Sequence, residues 1–372
     1  MFTRRTSWGR DPNRLSIAVA RRRQLPGFID LTVSNPTRVG LDQSMMPAAL
    51  PTGSYEPQAL GLASAREAIA AYYDRRGIPV DPARVAIVAS TSEAYGYLFR
   101  LLCEVDEVVS IPKPSYPLFE FLAEVSDVRV APYSLGYDGT WYLDRTSVSP
   151  AKVAIVVSPN NPTGSLLDPE ETSHLRASLG ELGAIISDEV FADYVEENGG
   201  HRRASLIGSE QLTFSLNGLS KVAGLPQHKL GWIVISGPEE LVSESLARLE
   251  IVADTYLSVS TGIQLALPAI LAATPFFQEG LRARIRQNAQ MLDRRLAGTP
   301  LRARRRQGGW SAFVDLPRTE SDEDWALLFV EGDGVAVHPG YLFGAEHGVV
   351  VSLIGRPDEL DEGMARIVAR VQ

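Results

Sequence analysis

The chain has 372 residues, with 36 Lys and Arg against 45 Asp and Glu, for a formal charge of −9. Apolar residues make up 45% and charged residues 22%, and no stretch reaches the roughly 20 apolar residues of a membrane-spanning helix, which excludes a membrane protein and a mostly disordered chain. The acidic balance argues against general binding to nucleic acid, and a lone cysteine, Cys103, excludes a disulfide framework or a multi-cysteine zinc site.

The first residues, MFTRRTSWGRDPNR, are basic but lead into no apolar run. They do not read as a secretory signal, and a cytoplasmic location is expected. The basic clusters at 21–23 and 302–306 read as solvated faces. From residue 80 to about 240, short runs rich in Val and Ile alternate with helical patterns: ARVAIVAS, EVVSIP, VRVAPYS, KVAIVVSP, GAIISDEVF, LTFSLN and LGWIVISG. Runs with so little polar alternation suit strands covered on both faces, so the spacing predicts an α/β fold, a mostly parallel sheet with helices on both faces. SEAYGYLFRLLCEV and DPEETSHLRASLGELG read as crossover helices, and a long amphipathic helix is expected from Pro275 to about Gly298. GGWSAFVDLP, DWALLFVEGDG, VAVHPG, VVVSLI and a last helix from Asp358 then predict a smaller α+β unit. The expected division is an N-terminal arm that joins the small domain (1–40), a large domain (41–277) and a small domain (278–372).

Ligands of such sheets sit outside the carboxyl ends of the strands, so chemistry is sought just after each run. Lys221 lies in a short Gly- and Ser-containing connection between two apolar runs, LTFSLNGLSKVAGLPQHKLGWIVI. Partial desolvation there lowers the pKa of an amine and favours one able to form a Schiff base. Thr91 and Ser92, in VASTSEAYGYL, suit either a helix N-cap or an anion held by the first turn. Asp188, in ISDEVFADY, suits either a helix cap or a buried charge. The five histidines show no metal-ligand spacing, and no metal is expected.

These segments, in this order, resemble the fold-type I pyridoxal-phosphate enzymes of the aspartate aminotransferase superfamily. The resemblance covers nearly the whole chain. It implies that Lys221, in the pair Ser220–Lys221, carries pyridoxal 5′-phosphate as an imine and then moves a proton on the substrate, and that Lys229, eight residues on, binds the cofactor phosphate with Ser220, Thr91 and Ser92. Tyr116 in PKPSYPLF would lie over the pyridine ring, Asn161 in SPNNPTG would donate to its phenolic oxygen, and Asp188 would keep its nitrogen protonated. Tyr55, before the Gly61 turn, would reach the cofactor phosphate of a neighbouring subunit, which implies a homodimer.

Three positions depart from the family pattern. Phe191 stands where many relatives have a tyrosine, Gly218 where they often have a phosphate-binding serine, and Val350, two residues before Ser352, where an arginine binds the substrate carboxylate. Arg38 is the first substitute for that arginine and Arg356 the second, with Trp310 and Tyr341 as further candidate pocket residues. The expected function is transfer of an amino group from an amino acid or related amine to a keto acid in a ping-pong cycle. A lyase, decarboxylase or cyclase using the same cofactor, and a non-catalytic regulator that binds it, are the alternatives.

Overall fold

In a strand, successive side chains point to opposite faces, and in this chain both sets are apolar. Val153, Ile155 and Val157 face one core cluster while Ala154 and Val156 face another, so the strand is covered on both sides. The computed structural model describes residues 11–42, 55–180, 183–196 and 204–372, together with 5, 8, 46, 50 and 51. In chain order its strands are β1 (Ile29–Asp30), β2 (Val85–Val88), β3 (Val108–Lys113), β4 (Arg129–Tyr137), β5 (Trp141–Leu143), β6 (Val153–Val157), β7 (Ala184–Asp188), β8 (Thr213–Gly218) and β9 (Gly231–Ser236). They continue with β10 (Arg302–Ala303), β11 (Ser311–Asp315), β12 (Val335–Ala336), β13 (His338–Pro339) and β14 (Gly348–Ser352).

Among the described residues, eight strands form the large sheet in the order β2-β9-β8-β7-β6-β3-β4-β5. β9 runs antiparallel to both neighbours, and β5 closes a hairpin on β4. The remaining pairs are parallel. All seven Val- and Ile-rich runs are strands of this sheet, as the patterning predicts; the three-residue β5 adds an eighth. The carboxyl ends of β2, β3, β6, β7 and β8 therefore lie together, each followed by one of the segments singled out above.

The smaller unit has a four-stranded antiparallel sheet, β10-β11-β14-β13. The N-terminal segment belongs with it. β1 pairs in parallel with β12, the Leu31 carbonyl accepts from the Ser352 amide at 2.9 Å, and Leu15, Ala18 and Leu31 share a core cluster with Leu360, Met364 and Ile367 of the last helix.

One helix, Thr261–Leu296, serves both units. Its first half packs Ile263, Leu267 and Leu271 under the large sheet, and its second half packs Phe277, Leu281, Ile285 and Leu292 in the small unit. The expectation of a helix starting at Pro275 is corrected here, since Pro268 and Pro275 both lie inside it. A proline deprives the carbonyl four residues earlier of its partner. For Pro275 that carbonyl is Leu271, which instead accepts from Arg75 Nη2 at 2.9 Å and Thr274 Oγ1 at 2.8 Å.

The second basic cluster is also corrected. Side chains alternate along this edge, and two arginines turn inward. Arg304 lies 4.4 Å from the Phe313 ring centre and pairs with Asp315 at 2.7 Å. Arg306 is buried against Glu196, also at 2.7 Å.

Gly61 ends the turn that precedes the Ala63–Asp74 helix. Its φ is +92°, and an added Cβ would come within 2.7 Å of the Ile87 side chain on β2. Left-handed backbone and close approach both require glycine here. Gly61→Ala is expected to lower the unfolding free energy by about 1–3 kcal/mol, read as a lower urea midpoint with an unchanged slope.

Candidate active site

Where the carboxyl ends meet the small unit, a cavity of about 340 Å³ collects Ser90, Thr91, Ser92, Tyr116, Asn161, Asp188, Ser220, Lys221 and Lys229 from the large sheet's loops. It also collects Trp310, His338, Val350 and Ser352 from the small unit, and Thr32 and Ser34 from the N-terminal segment. Residues up to 320 positions apart meet here because the connections cross at one edge of the sheet.

Lys221 sits in the short helix Leu219–Val222 after β8. Its backbone is held from below. Tyr194 Oη donates to the Lys221 carbonyl at 2.7 Å, and Gln278 Nε2 to the Val222 carbonyl at 3.0 Å. The ammonium lies 4.9 Å from the Trp310 ring centre and 5.7 Å from that of Phe191. Burial among these groups pulls its pKa down to about 8, against an opposing pull from the Asp188 carboxylate. That is the desolvated amine the sequence setting predicts.

Asp188 ends β7 and is buried. Burial pushes its pKa up to about 6, opposed by the Val190 amide, the Tyr95 hydroxyl and Lys221. Tyr95 Oη donates to Oδ2 at 3.0 Å, and the Val190 amide to Oδ1 at 3.3 Å. Tyr95 was not singled out in the sequence. The available signal was its place one helical turn beyond Thr91, on a face that also carries Ser92.

The helix Thr91–Leu102 is capped by Ser90, whose Oγ accepts from the Glu93 amide at 3.1 Å. Since Ser90 does the capping, Thr91 and Ser92 are left in the first turn, where backbone N–H groups and the helix dipole favour an anion. Lys229 adds a positive charge at the cavity edge from a left-handed backbone, φ 51°, a conformation sparsely populated by residues with a side chain. Tyr116 stands edge-on to Phe119, ring centres 5.5 Å apart. Asn160, beside Asn161, is locked by Ser115, Thr163 and the Pro114 carbonyl at 2.6–2.9 Å, which presents Asn161 to the cavity.

Four of the residues singled out above do not line this cavity, one of them, Tyr55, being expected at a neighbouring subunit's site. Tyr55 is 71% exposed and lines a separate depression with Glu56, Tyr97 and Leu257. Arg38 is exposed at the end of the Pro36–Arg38 turn, and Tyr341 is 42% exposed beyond the cavity rim. Arg356 is exposed as well, paired with Asp358 at 2.7 Å. Trp310 does line the cavity, and so do His338, Thr32 and Ser34, which carried no sequence signal because their place depends on the small unit packing against the large sheet.

A desolvated lysine and a buried carboxylate thus share one cavity with the start of a helix, whose free backbone amides suit an anion. Residues 52–367 match the family model for aminotransferase class I and II, and the chain belongs to that family. It is a pyridoxal-phosphate-dependent aminotransferase. Human tyrosine aminotransferase is 26% identical over 342 residues, 85% of this chain and 74% of that protein. Barley nicotianamine aminotransferase B is 25% identical over 343 residues, 86% of this chain and 62% of that protein. The fold matches alanine aminotransferase from Pyrococcus furiosus with a TM-score of 0.87 at 22% identity, over 100% of this chain and 99% of that one. No described helix is long and apolar enough to cross a membrane.

The residues fit the cofactor by charge and by donor type: an amine for its aldehyde, an acid for its ring nitrogen, and backbone amides with Lys229 for its phosphate. Two measurements follow from the electrostatics. In the cofactor-free protein, acylation of Lys221 should rise with a midpoint near pH 8 rather than near the ordinary lysine value of about 10.4, and Asp188→Asn should move it lower by removing the group that holds the proton on. Because the folded pKa of Asp188 is raised, the folded state binds more protons than the unfolded one between about pH 4 and 6. Its ionisation therefore costs stability as pH rises through that window, and Asp188→Asn should be more stable than the parent above pH 6 by about 1–3 kcal/mol in cofactor-free denaturation.

Proposed function

We propose that this aminotransferase works through Lys221, and that the nitrogen it moves passes from an amine donor to a keto acid in two half-reactions at the one cavity. In the balance, the donor carbon exchanges its amino group for a carbonyl oxygen and the acceptor carbon does the reverse. The coincidence of Lys221 and Asp188 in the cavity is the observation that carries the reading. When bound, pyridoxal phosphate supplies an electrophilic aldehyde and an electron-withdrawing ring.

Lys221 Nζ does two jobs in this reading. Its lowered pKa keeps a useful fraction unprotonated near neutral pH, so the amine acts as a nucleophile and then as the base that takes and returns the proton of the reacting carbon. The carbonyl contact from Tyr194 fixes where that amine swings. Asp188 would set a buried negative charge against the ring nitrogen of the bound cofactor, and the Tyr95 hydroxyl, donating to it, favours the ionised and oriented carboxylate. The first turn at Thr91 and Ser92, with Ser220 and Lys229, anchors the phosphate. Asn161 offers an amide donor to the ring oxygen, and Phe191, with no hydroxyl, leaves that oxygen with fewer donors. Tyr116 fixes the plane of the ring.

The exposed position of Tyr55 supports a homodimer in which this tyrosine serves the partner's site. The change of core along the Thr261–Leu296 helix supports the division into 1–40 with 278–372 and 41–277.

Protein loaded with pyridoxal phosphate should show a visible absorbance band that Lys221→Ala abolishes, with an amine donor leaving stoichiometric pyridoxamine phosphate in the parent only. Turnover in Lys221→Ala should fall by at least about 10³-fold. A band and turnover that survive Lys221→Ala would overturn the assignment.

A further inference from the structure

A keto acid brings a carboxylate into this cavity, and a carboxylate taken out of water needs a cation or several strong donors beside it. Among the described lining residues three can carry positive charge, Lys221, Lys229 and His338. In the reading above, Lys221 is committed to the cofactor aldehyde and Lys229 to its phosphate. His338 is left. Arg38 and Arg356 are exposed and do not line the cavity.

The strand register puts the imidazole where a cation is wanted. β13 and β14 run antiparallel with His338 directly opposite Val350, and residues paired in this way project from the same face of a sheet. Both line the cavity. Val350 is the position at which the family resemblance calls for an arginine, so His338 stands beside it on the neighbouring strand. Its ring is edge-on to Phe343, centres 5.9 Å apart, and it is partly buried, open to the cavity it lines.

The charges around the ring suit this role. Burial lowers the pKa of His338, and Asp30, from β1, opposes the shift. Asp30 also meets Arg23 at 2.7 Å and the Thr32 hydroxyl at 2.5 Å. On the helix Asp322–Leu328, which packs against β13, Asp322 accepts from the Gly348 amide at 3.0 Å, and Glu323 and Asp324 pair with Arg14 at 3.8 and 3.7 Å. Tyr341, two residues past the end of β13's His338–Pro339 pair, is neutral near pH 7 because its pKa is raised by burial, and β14 sets valines opposite. Lys221, Lys229 and Asp188 line the cavity from the large sheet. An imidazole that burial keeps neutral takes up a proton when a carboxylate comes beside it. The incoming charge is then met by a cation that need not be held, buried and unpaired, before the acid binds.

We propose that His338 binds the carboxylate of the acceptor keto acid, and that of a donor amino acid, as an imidazolium that does the work of the arginine replaced by Val350. The inference rests on the reading of Lys221 given above and names the residue that selects acids at the same cavity. One group can serve both half-reactions, because an amino acid and its keto acid carry the same carboxylate.

The experiment uses the cofactor-loaded enzyme and the non-reacting pair 3-phenylpropionate and 3-phenylpropionamide, with equilibrium binding followed by protein fluorescence between about pH 6 and 8. Near the lower limit the acid should bind at least about tenfold more tightly than the amide, the scale of one charge-assisted hydrogen bond. That ratio should fall as pH rises, because the free imidazole titrates below its ordinary value of about 6.5 and each step above it makes the required proton harder to supply. His338→Gln, which keeps a neutral donor, should shrink the ratio and remove most of its pH slope, with amide binding and the Lys221-dependent band retained. Adding Val350→Arg to His338→Gln should restore the preference for the acid without the slope, since a guanidinium does not titrate in this range. A parent enzyme with no preference for the acid near the lower limit, or a ratio and slope that persist in His338→Gln, overturns the proposal. If the Lys221-dependent band is present in that case, only the assignment of His338 fails; if the band itself is missing, the reading of Lys221 fails with it.

Discussion

The site depends on keeping one amine and one carboxylate out of water at the same end of a buried sheet. Each is perturbed in the direction that burial dictates, the lysine downward to about 8 and the acid upward to about 6. Each also moderates the shift of the other. Neither charge is tolerable in an apolar interior without compensation, and the surroundings supply it in different ways. Asp188 receives a tyrosine hydroxyl and a backbone amide, while Lys221 receives two aromatic faces. The difference suits the chemistry, because donors favour the ionised acid, whereas an ammonium set against aromatic faces, with no hydrogen-bond acceptor among the described residues, gives up its proton more readily.

The sheet holds this pair in place through its neighbours. β7 and β8 are buried along their whole length, and the helix bearing Lys221 starts immediately after β8. Beneath the lysine, Gln278 of the long helix ties the Val222 carbonyl to the Asp193 carboxylate, at 3.0 and 2.9 Å. The same helix goes on into the small unit, where Asn288 donates to the Leu353 and Gly355 carbonyls just past Ser352, at 2.8 and 2.9 Å. One helix thus ties the backbone beside Lys221 to the backbone just past Ser352 on the other side of the cavity.

The strands of the large sheet and the residues that follow them were legible because continuous Val and Ile runs have few alternatives, and because Lys221, Asp188, Asn161 and Thr91–Ser92 each sit directly after such a run. The long helix was half read. Pro275 is a local stop signal, and the arginine and threonine that relieve it come from a contact with a distant helix and from the preceding turn. Arg306 read as a surface charge for a similar reason, since its partner Glu196 lies 110 positions away.

By itself the amino-acid sequence determined the fold class, the family and which residues the large sheet brings to the cavity, because those depend on local patterning and on motifs a few residues long. Tertiary structure alone decided which of the candidate substrate residues reach the cavity. It put Trp310 there, together with His338 and Ser352, and left Arg38, Tyr341 and Arg356 outside, since this wall of the cavity is built where the N-terminal segment and the C-terminal strands pack over the sheet. Contacts between segments so far apart leave no periodicity for a reader of the chain to find.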